Sequence, residues 1–136
     1  MIAAAGCGAS GDDGAGSATS GTTLTVRATQ SGFQKIFRSR KGFEPGDAFI
    51  VSSDLAGGGH KEAYCVISDR PRTDWCAITL VLPRGQISAQ GVFVDAPELS
   101  GALPLLSGTG AYAGASGSLT TDGVIGRRES IRIHLR

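Results

Sequence analysis

The chain has 136 residues, 40% of them hydrophobic and 18% charged, with a net charge of +1 at neutral pH. That leaves room for one domain with one core, is too apolar for a disordered chain, and gives no case for nucleic acid or an anionic membrane surface as the main partner. Twenty-one glycines crowd the first segment and then punctuate short runs rich in Val, Ile, Thr and Phe, the texture of a many-stranded β protein.

The chain opens with Met1 to Cys7 (MIAAAGC). Ala4-Ala5-Gly6-Cys7 looks like a bacterial lipobox, although the basic region and long apolar stretch of a complete signal are missing upstream. Residues 8–22 (GASGDDGAGSATSGT) have the Gly/Ser-rich composition of a flexible spacer. The expectation is an arm over residues 1–22, lipidated at Cys7 once a longer precursor supplies the signal, and a location outside the cytoplasm.

Alternation starts directly after the arm. Thr23 to Thr29 has the period of a half-buried strand, and Phe33 to Phe37 reads as a second, short one. Glu44-Pro45-Gly46-Asp47 is a turn signal, followed by a strand from Ala48 to Ser53. Gly57-Gly58-Gly59 breaks the chain before Glu62 to Ser68. Asp69 to Asp74 is a loop, and Trp75 to Leu82 (WCAITLVL) is apolar on both faces. Pro83-Arg84-Gly85 turns the chain into Gln86 to Val94, and a looser segment carries Pro97 and Pro104. A bend at Gly108 to Gly110, short strands at Ala111 to Ala113 and Ser116 to Thr121, and an alternating run from Ser130 to Leu135 finish the chain. Seven or eight short strands without a helix or repeat predict a barrel or a sandwich, and a barrel of about eight strands has a lumen that is filled by side chains or holds one small ligand.

Cys65 and Cys76 lie near the facing ends of two predicted strands, where pairing brings them within disulfide reach and fits an oxidising compartment. The alternative is two small buried thiols, or one of them lining a pocket. The basic residues Lys35, Arg38, Arg40 and Lys41, then Arg127, Arg128, Arg132 and Arg136, read as solvated surface without aromatic stacking platforms. Gly108-Thr109-Gly110-Ala111-Tyr112-Ala113-Gly114 is no dinucleotide fingerprint, since Ala113 stands where the third glycine belongs. Ser52, Ser53, Asp54 and His60 lack a nucleophile elbow, and His60 and His134 lack metal-ligand spacing.

Four separated motifs occur in order: Gly46, Asp47, Asp54 and Leu55 (G-D-x6-D-L); Tyr64 to Ile67 (YCVI); Gly85 to Gly91 (GQISAQG); and Ser107 to Gly117 (SGTGAYAGASG). Together they resemble the allene oxide cyclase barrels and their dirigent relatives. The resemblance implies an all-β, single eight-stranded antiparallel β-barrel over residues 23–136, often oligomeric. Its lumen would steer the cyclisation or coupling of a reactive hydrophobic molecule. The glutamate and asparagine of the plant cyclases' first strand have no counterpart in Leu24 to Arg27, and a second pocket asparagine falls at about Ser53. A pocket cysteine corresponds to Cys65. The aspartate ending a dirigent strand resembles Asp54 after Ile50-Val51-Ser52-Ser53.

Asp54 is therefore the expected catalytic acid, with turn capping as its plainer role. Ser52, Tyr64, Ile67, Ile78, Leu80 and Phe93 are the expected substrate-binding residues, with Ile87 shaping the lumen. No metal and no cofactor is expected. The expected partner is a hydrophobic small molecule, with the membrane touched only through a lipid anchor. Apolar residues of Trp75 to Leu82 that face outward suggest a homo-oligomer. The second reading is a barrel that kept the fold as a tethered ligand-binding or structural module and lost the chemistry.

Overall fold

A sheet with one apolar face must stack on another layer or curl until that face is enclosed. This chain curls. The computed structural model describes residues 21–37, 43–94, 102–124 and 127–136. These form β1 (Thr23–Ile36), β2 (Ala48–Leu55), β3 (His60–Ile67), β4 (Thr73–Leu82), β5 (Gly85–Val94), β6 (Leu103–Gly108), β7 (Gly117–Val124) and β8 (Arg128–Leu135). Each strand pairs antiparallel with the next and β8 closes on β1, giving an eight-stranded up-and-down barrel. The arm's residues 1–20, including Cys7, lie outside the described residues.

Two elements differ from the sequence expectation. Ala111 to Ala113 is not a strand; Gly110–Tyr112 forms one 3-10 turn. The missing strand is β6, inside the stretch expected to be irregular. Pro104 is tolerated there because the β6–β7 ladder is only two residue pairs long, so little is lost when one N–H is absent. The two short strands expected at Thr23–Thr29 and Phe33–Phe37 are a single strand, β1, interrupted by a bulge between Gln30 and Gly32. The extra residue shifts the phase. Leu24, Val26, Ala28 and Gln30 alternate inward before it. After it Phe33 faces Val51 and Lys35 faces Phe49, so the odd-numbered side chains take over the lumen face.

The two barrel ends are built differently. At one end Gly57 to Gly59, the Pro83-Arg84 turn and residues 109–116 connect the strands. The 109–116 loop folds onto the Arg84 turn: the Ala111 N–H donates to the Arg84 carbonyl at 2.9 Å, and the Thr109 hydroxyl accepts from the Gln86 N–H at 3.0 Å. Gly110 has φ +61°, and a Cβ there would stand 2.3 Å from the Arg84 carbonyl oxygen. The glycine motif is thus a closure device for this end. In the interior Leu80, Ile87, Ile131 and Ile133 are wholly shielded from solvent, each such burial stabilising by about 1.5–3 kcal/mol.

At the other end lie the connections between β1 and β2, β3 and β4, β5 and β6, and β7 and β8. Near it Cys65 and Cys76 sit opposite each other on β3 and β4 with Cα atoms 4.2 Å apart, joined by a disulfide. Both are buried. Their sequence separation is 11 residues, and in the chain-entropy account closing a loop of that size stabilises by about 3 kcal/mol.

Two expected outcomes follow from this architecture. Gly110→Ala should destabilise by clearly more than Gly114→Ala, whose φ is +75° but whose Cβ would meet nothing within 4 Å; the latter costs only the left-handed backbone penalty of about 1–2 kcal/mol. Paired urea titrations measure the difference. Reducing the disulfide should lower the urea midpoint by the equivalent of about 2–3 kcal/mol, compared with Cys65→Ala/Cys76→Ala as the control.

Candidate functional site

The open end of the barrel begins with a clamp. Asp47 is buried, and its Oδ2 accepts from the Glu44 N–H at 2.9 Å, capping the turn that precedes β2. The Gly46 N–H donates to the Ile67 carbonyl at 2.9 Å, and the Ile67 N–H donates to the Asp47 carbonyl at 2.8 Å. The Gly46-Asp47 motif thus fixes the start of β2 to the end of β3.

Beside that clamp four phenylalanines make a collar. Phe33 stacks on Phe49 with ring centroids 5.8 Å apart, while Phe43 meets Phe37 and Phe49 edge-on at 5.3 and 6.2 Å. The Lys35 Nζ lies 4.5, 5.4 and 6.0 Å from the ring centres of Phe43, Phe37 and Phe33, within cation–π range. Lys35 was expected to be a solvated cation without aromatic neighbours. Lys35 shares the strand face of Phe33 by simple alternation, and the bulge sets that face on the side of Val51 and Phe49, where the rings gather around the ammonium.

Deeper in the lumen the polar groups are buried. Lys61 is in phase with Ala63 and Cys65 on β3, and Glu129 is in phase with Ile131, Ile133 and Leu135 on β8, so both point inward. The Lys61 ammonium donates to Glu129 Oε1 and forms an ion pair whose side chains are 3% and 4% exposed. Buried Ser53 stands opposite Lys61, and Gln30 stands opposite Ser53. Among the described residues no buried side-chain nitrogen or oxygen lacks a hydrogen-bond partner. Burial pushes the Lys61 ammonium down to about 8 from its usual 10.5, because the charged form loses its water.

The expected site residues divide between the two faces. Ile78 and Leu80 are buried in the lumen wall, and Ile67 and Phe93 line it nearer the open end, partly buried. Ser53, the position matching a cyclase asparagine, also faces inward. Asp54 does not: it is exposed on the outer face, opposite His60, because Val51, Ser53 and Leu55 take the inward phase of β2. The carboxylate that faces the lumen is Glu129. Ser52 also points outward, its hydroxyl donating to Glu62 Oε2 at 2.6 Å, and Tyr64 is 42% exposed on the same outer face. The signal for Glu129 was present in the sequence, since extending the alternation of Ile131, Ile133 and Leu135 one step backward reaches it.

At the β1 bulge an open pocket of about 500 Å³ is lined by Thr29, Gln30, Ser31, Gly32, Phe33, Arg127 and Arg128. No group of three His, Cys, Asp or Glu side chains that could hold a metal occurs among the described residues. No helix among them is long and apolar enough to cross a membrane.

No protein-family model and no curated protein matches the chain. Solved structures that share its fold include the following three. A pyocyanin demethylase is 26% identical with a TM-score of 0.73, the match covering 85% of this chain and all of that one. AbnU, an exo-specific intermolecular Diels-Alderase, is 16% identical with a TM-score of 0.65 over 84% of this chain and 96% of that one. A nonspecific heme-binding cyclase that catalyses [4 + 2] cycloaddition during neoabyssomicin biosynthesis is 15% identical, with a TM-score of 0.58 over 85% of this chain and 65% of that one. The chain thus shares the barrel fold of these proteins.

Breaking the ion pair tests its role in the lumen. Glu129→Gln should cost about 3–5 kcal/mol, whereas Lys61→Met/Glu129→Leu should be neutral or stabilising, since no lone charge is left behind. Because the folded pKa of Lys61 lies below its unfolded value, the unfolded state holds the extra proton between about pH 8 and 10.5. Unfolding free energy should therefore rise with pH across that window, and Lys61→Met should remove this contribution. Urea titrations at pH 7, 9 and 10.5 measure it.

Proposed function

We propose that the barrel binds a hydrophobic small molecule at its open end and guides its cyclisation or stereoselective coupling without a cofactor, as the allene oxide cyclase and dirigent barrels do. The observation that carries this reading is the Lys61–Glu129 pair, shut in the lumen next to Ser53 and below an aromatic collar. A site of this kind works by holding one conformer of a reactive molecule and excluding water. The Lys61 ammonium, about 8 in pKa, stabilises negative charge that develops on a substrate oxygen and can give up a proton near neutral pH. Glu129 holds that ammonium in place by their ion pair. Ile67, Ile78, Leu80 and Phe93 shape the apolar wall. The shared fold with a demethylase and two cycloaddition catalysts supports the reading.

The disulfide supports a location in an oxidising compartment, outside the cytoplasm. Attachment to a membrane through a lipid on Cys7 belongs to the same proposal. Outward-facing Trp75, 38% exposed, supports assembly with further copies.

One observation favours a second reading, a binding or structural barrel without chemistry. Leu80, Ile87, Ile131 and Ile133 fill much of the interior, and the ion pair neutralises itself.

The two readings part on conversion. The neutral probe N-phenyl-1-naphthylamine should bind with a stoichiometry near one per barrel and be displaced by polyene or phenolic substrates. Conversion of a member of that panel with stereochemical bias should fall about 10²–10⁴-fold in Lys61→Met/Glu129→Leu and change less than about twofold in Asp54→Asn. Binding with racemic or absent product across the panel would leave only the second reading.

A further inference from the structure

The pocket at the β1 bulge carries an uneven charge that the proposed reaction does not use. The pocket at the bulge is lined by Arg127 and Arg128 and by no acid. Neither arginine forms an ion pair with a described residue. The one carboxylate adjoining them in sequence, Glu129, points into the lumen and is held by Lys61. A third cation stands close by, since Lys35 lies over the ring of Phe33, and Phe33 lines the same pocket. Phe33 thus belongs both to the collar and to the arginine pocket. The result is a vestibule with aromatic walls, three cations and, among its described lining residues, no anion.

Such a surface discriminates by charge and shape together. Ring faces and edges favour a flat aromatic ligand, which packs offset or edge-on against phenylalanine. Guanidinium groups favour a carboxylate or another oxyanion, which they bind through paired N–H donors. The Lys35 ammonium, resting on ring faces, keeps donors for the same anion. A cationic ligand would find its place on the rings already held by Lys35 and would be repelled by both arginines.

We propose that the open end selects planar aromatic anions, with Arg127, Arg128 and Lys35 reading the negative group and Phe33, Phe43 and Phe49 reading the ring. This deepens the function proposed above and rests on it only in so far as the vestibule leads to the lumen. Gln30, which lines the pocket and stands across from Ser53, marks where the two adjoin.

The test is calorimetric titration of the full chain with three matched probes: 2-naphthoate, neutral 2-acetylnaphthalene and the cation 2-naphthyltrimethylammonium. The expected result is 2-naphthoate binding at least about tenfold more tightly than either of the others, as loss of a charge-assisted contact worth about 1.5–3 kcal/mol implies. The preference should weaken in high salt and disappear in Arg127→Ala/Arg128→Ala, with Lys35→Met taking part of it. Equal binding of anion and neutral probe, or preference for the cation, would overturn the proposal. N-phenyl-1-naphthylamine separates the two readings. If it binds wild type and variants alike while naphthoate shows no preference, the charge proposal falls and the lumen reading stands. If naphthoate shows the charge-dependent preference while the neutral probe does not bind, the vestibule stands and the lumen reading falls.

Discussion

Pairing of β8 with β1 leaves the sheet without an edge, and in doing so it sorts every side chain into one that meets water and one that does not. The apolar half of each alternating strand goes inside, which stabilises the fold. The same rule is indifferent to chemistry, so any polar residue that shares the inward phase is carried in as well. Lys61 and Glu129 are there for that reason. Neither charge is tolerable alone in a lumen of Leu and Ile, and two on separate strands meeting across the interior offset each other's desolvation. The pair therefore links β3 to β8, strands that are not neighbours in the sheet.

The second constraint is the bulge in β1. Without the extra residue between Gln30 and Gly32, the strand would continue its even-numbered inward phase, and Phe33 and Lys35 would lie on the outer face, away from Val51 and Phe49. One inserted residue turns an apolar collar and an ammonium onto the lumen face, at the end where Arg127 and Arg128 arrive from β8. The aromatic and cationic character of the vestibule comes from this local irregularity, in keeping with the tendency of bulges to re-aim side chains beside functional sites. The opposite end shows the reverse arrangement. There the Ser107 to Gly117 motif folds back onto the Arg84 turn, so its glycines serve the closure of that end.

The fold was legible in the sequence because it is written in period. Alternation in Thr23 to Thr29, Ala48 to Ser53 and Ser130 to Leu135 needs only neighbours in the chain to be recognised, and glycines between the runs mark the turns. Facing ends of two such runs were enough to suggest the Cys65–Cys76 pairing, which is present. The errors fall where period fails. β1 was divided because a bulge breaks alternation, and β6 was passed over because Pro104 argues against a strand, until its ladder proves too short for proline to matter.

The candidate site was legible only in part. Strand period and composition, which are local properties, determined an all-β sheet of seven or eight short strands with Ile78 and Leu80 on an apolar face, and the four motifs' resemblance pointed to an eight-stranded barrel. None of these determined which of the two alternating faces turns inward on β2. Ile50, Ser52 and Asp54 form one face consistent with the sequence, and Val51, Ser53 and Leu55 another, with nothing local to choose between them. Only closure of the barrel decided between them, because the inward face is the one whose register neighbours on β1 and β3 are buried. The pairing of Lys61 with Glu129 lay further beyond reach. Sixty-eight residues separate them in the chain, and nothing local to either specifies the other; what joins them is a shared interior from which water is excluded.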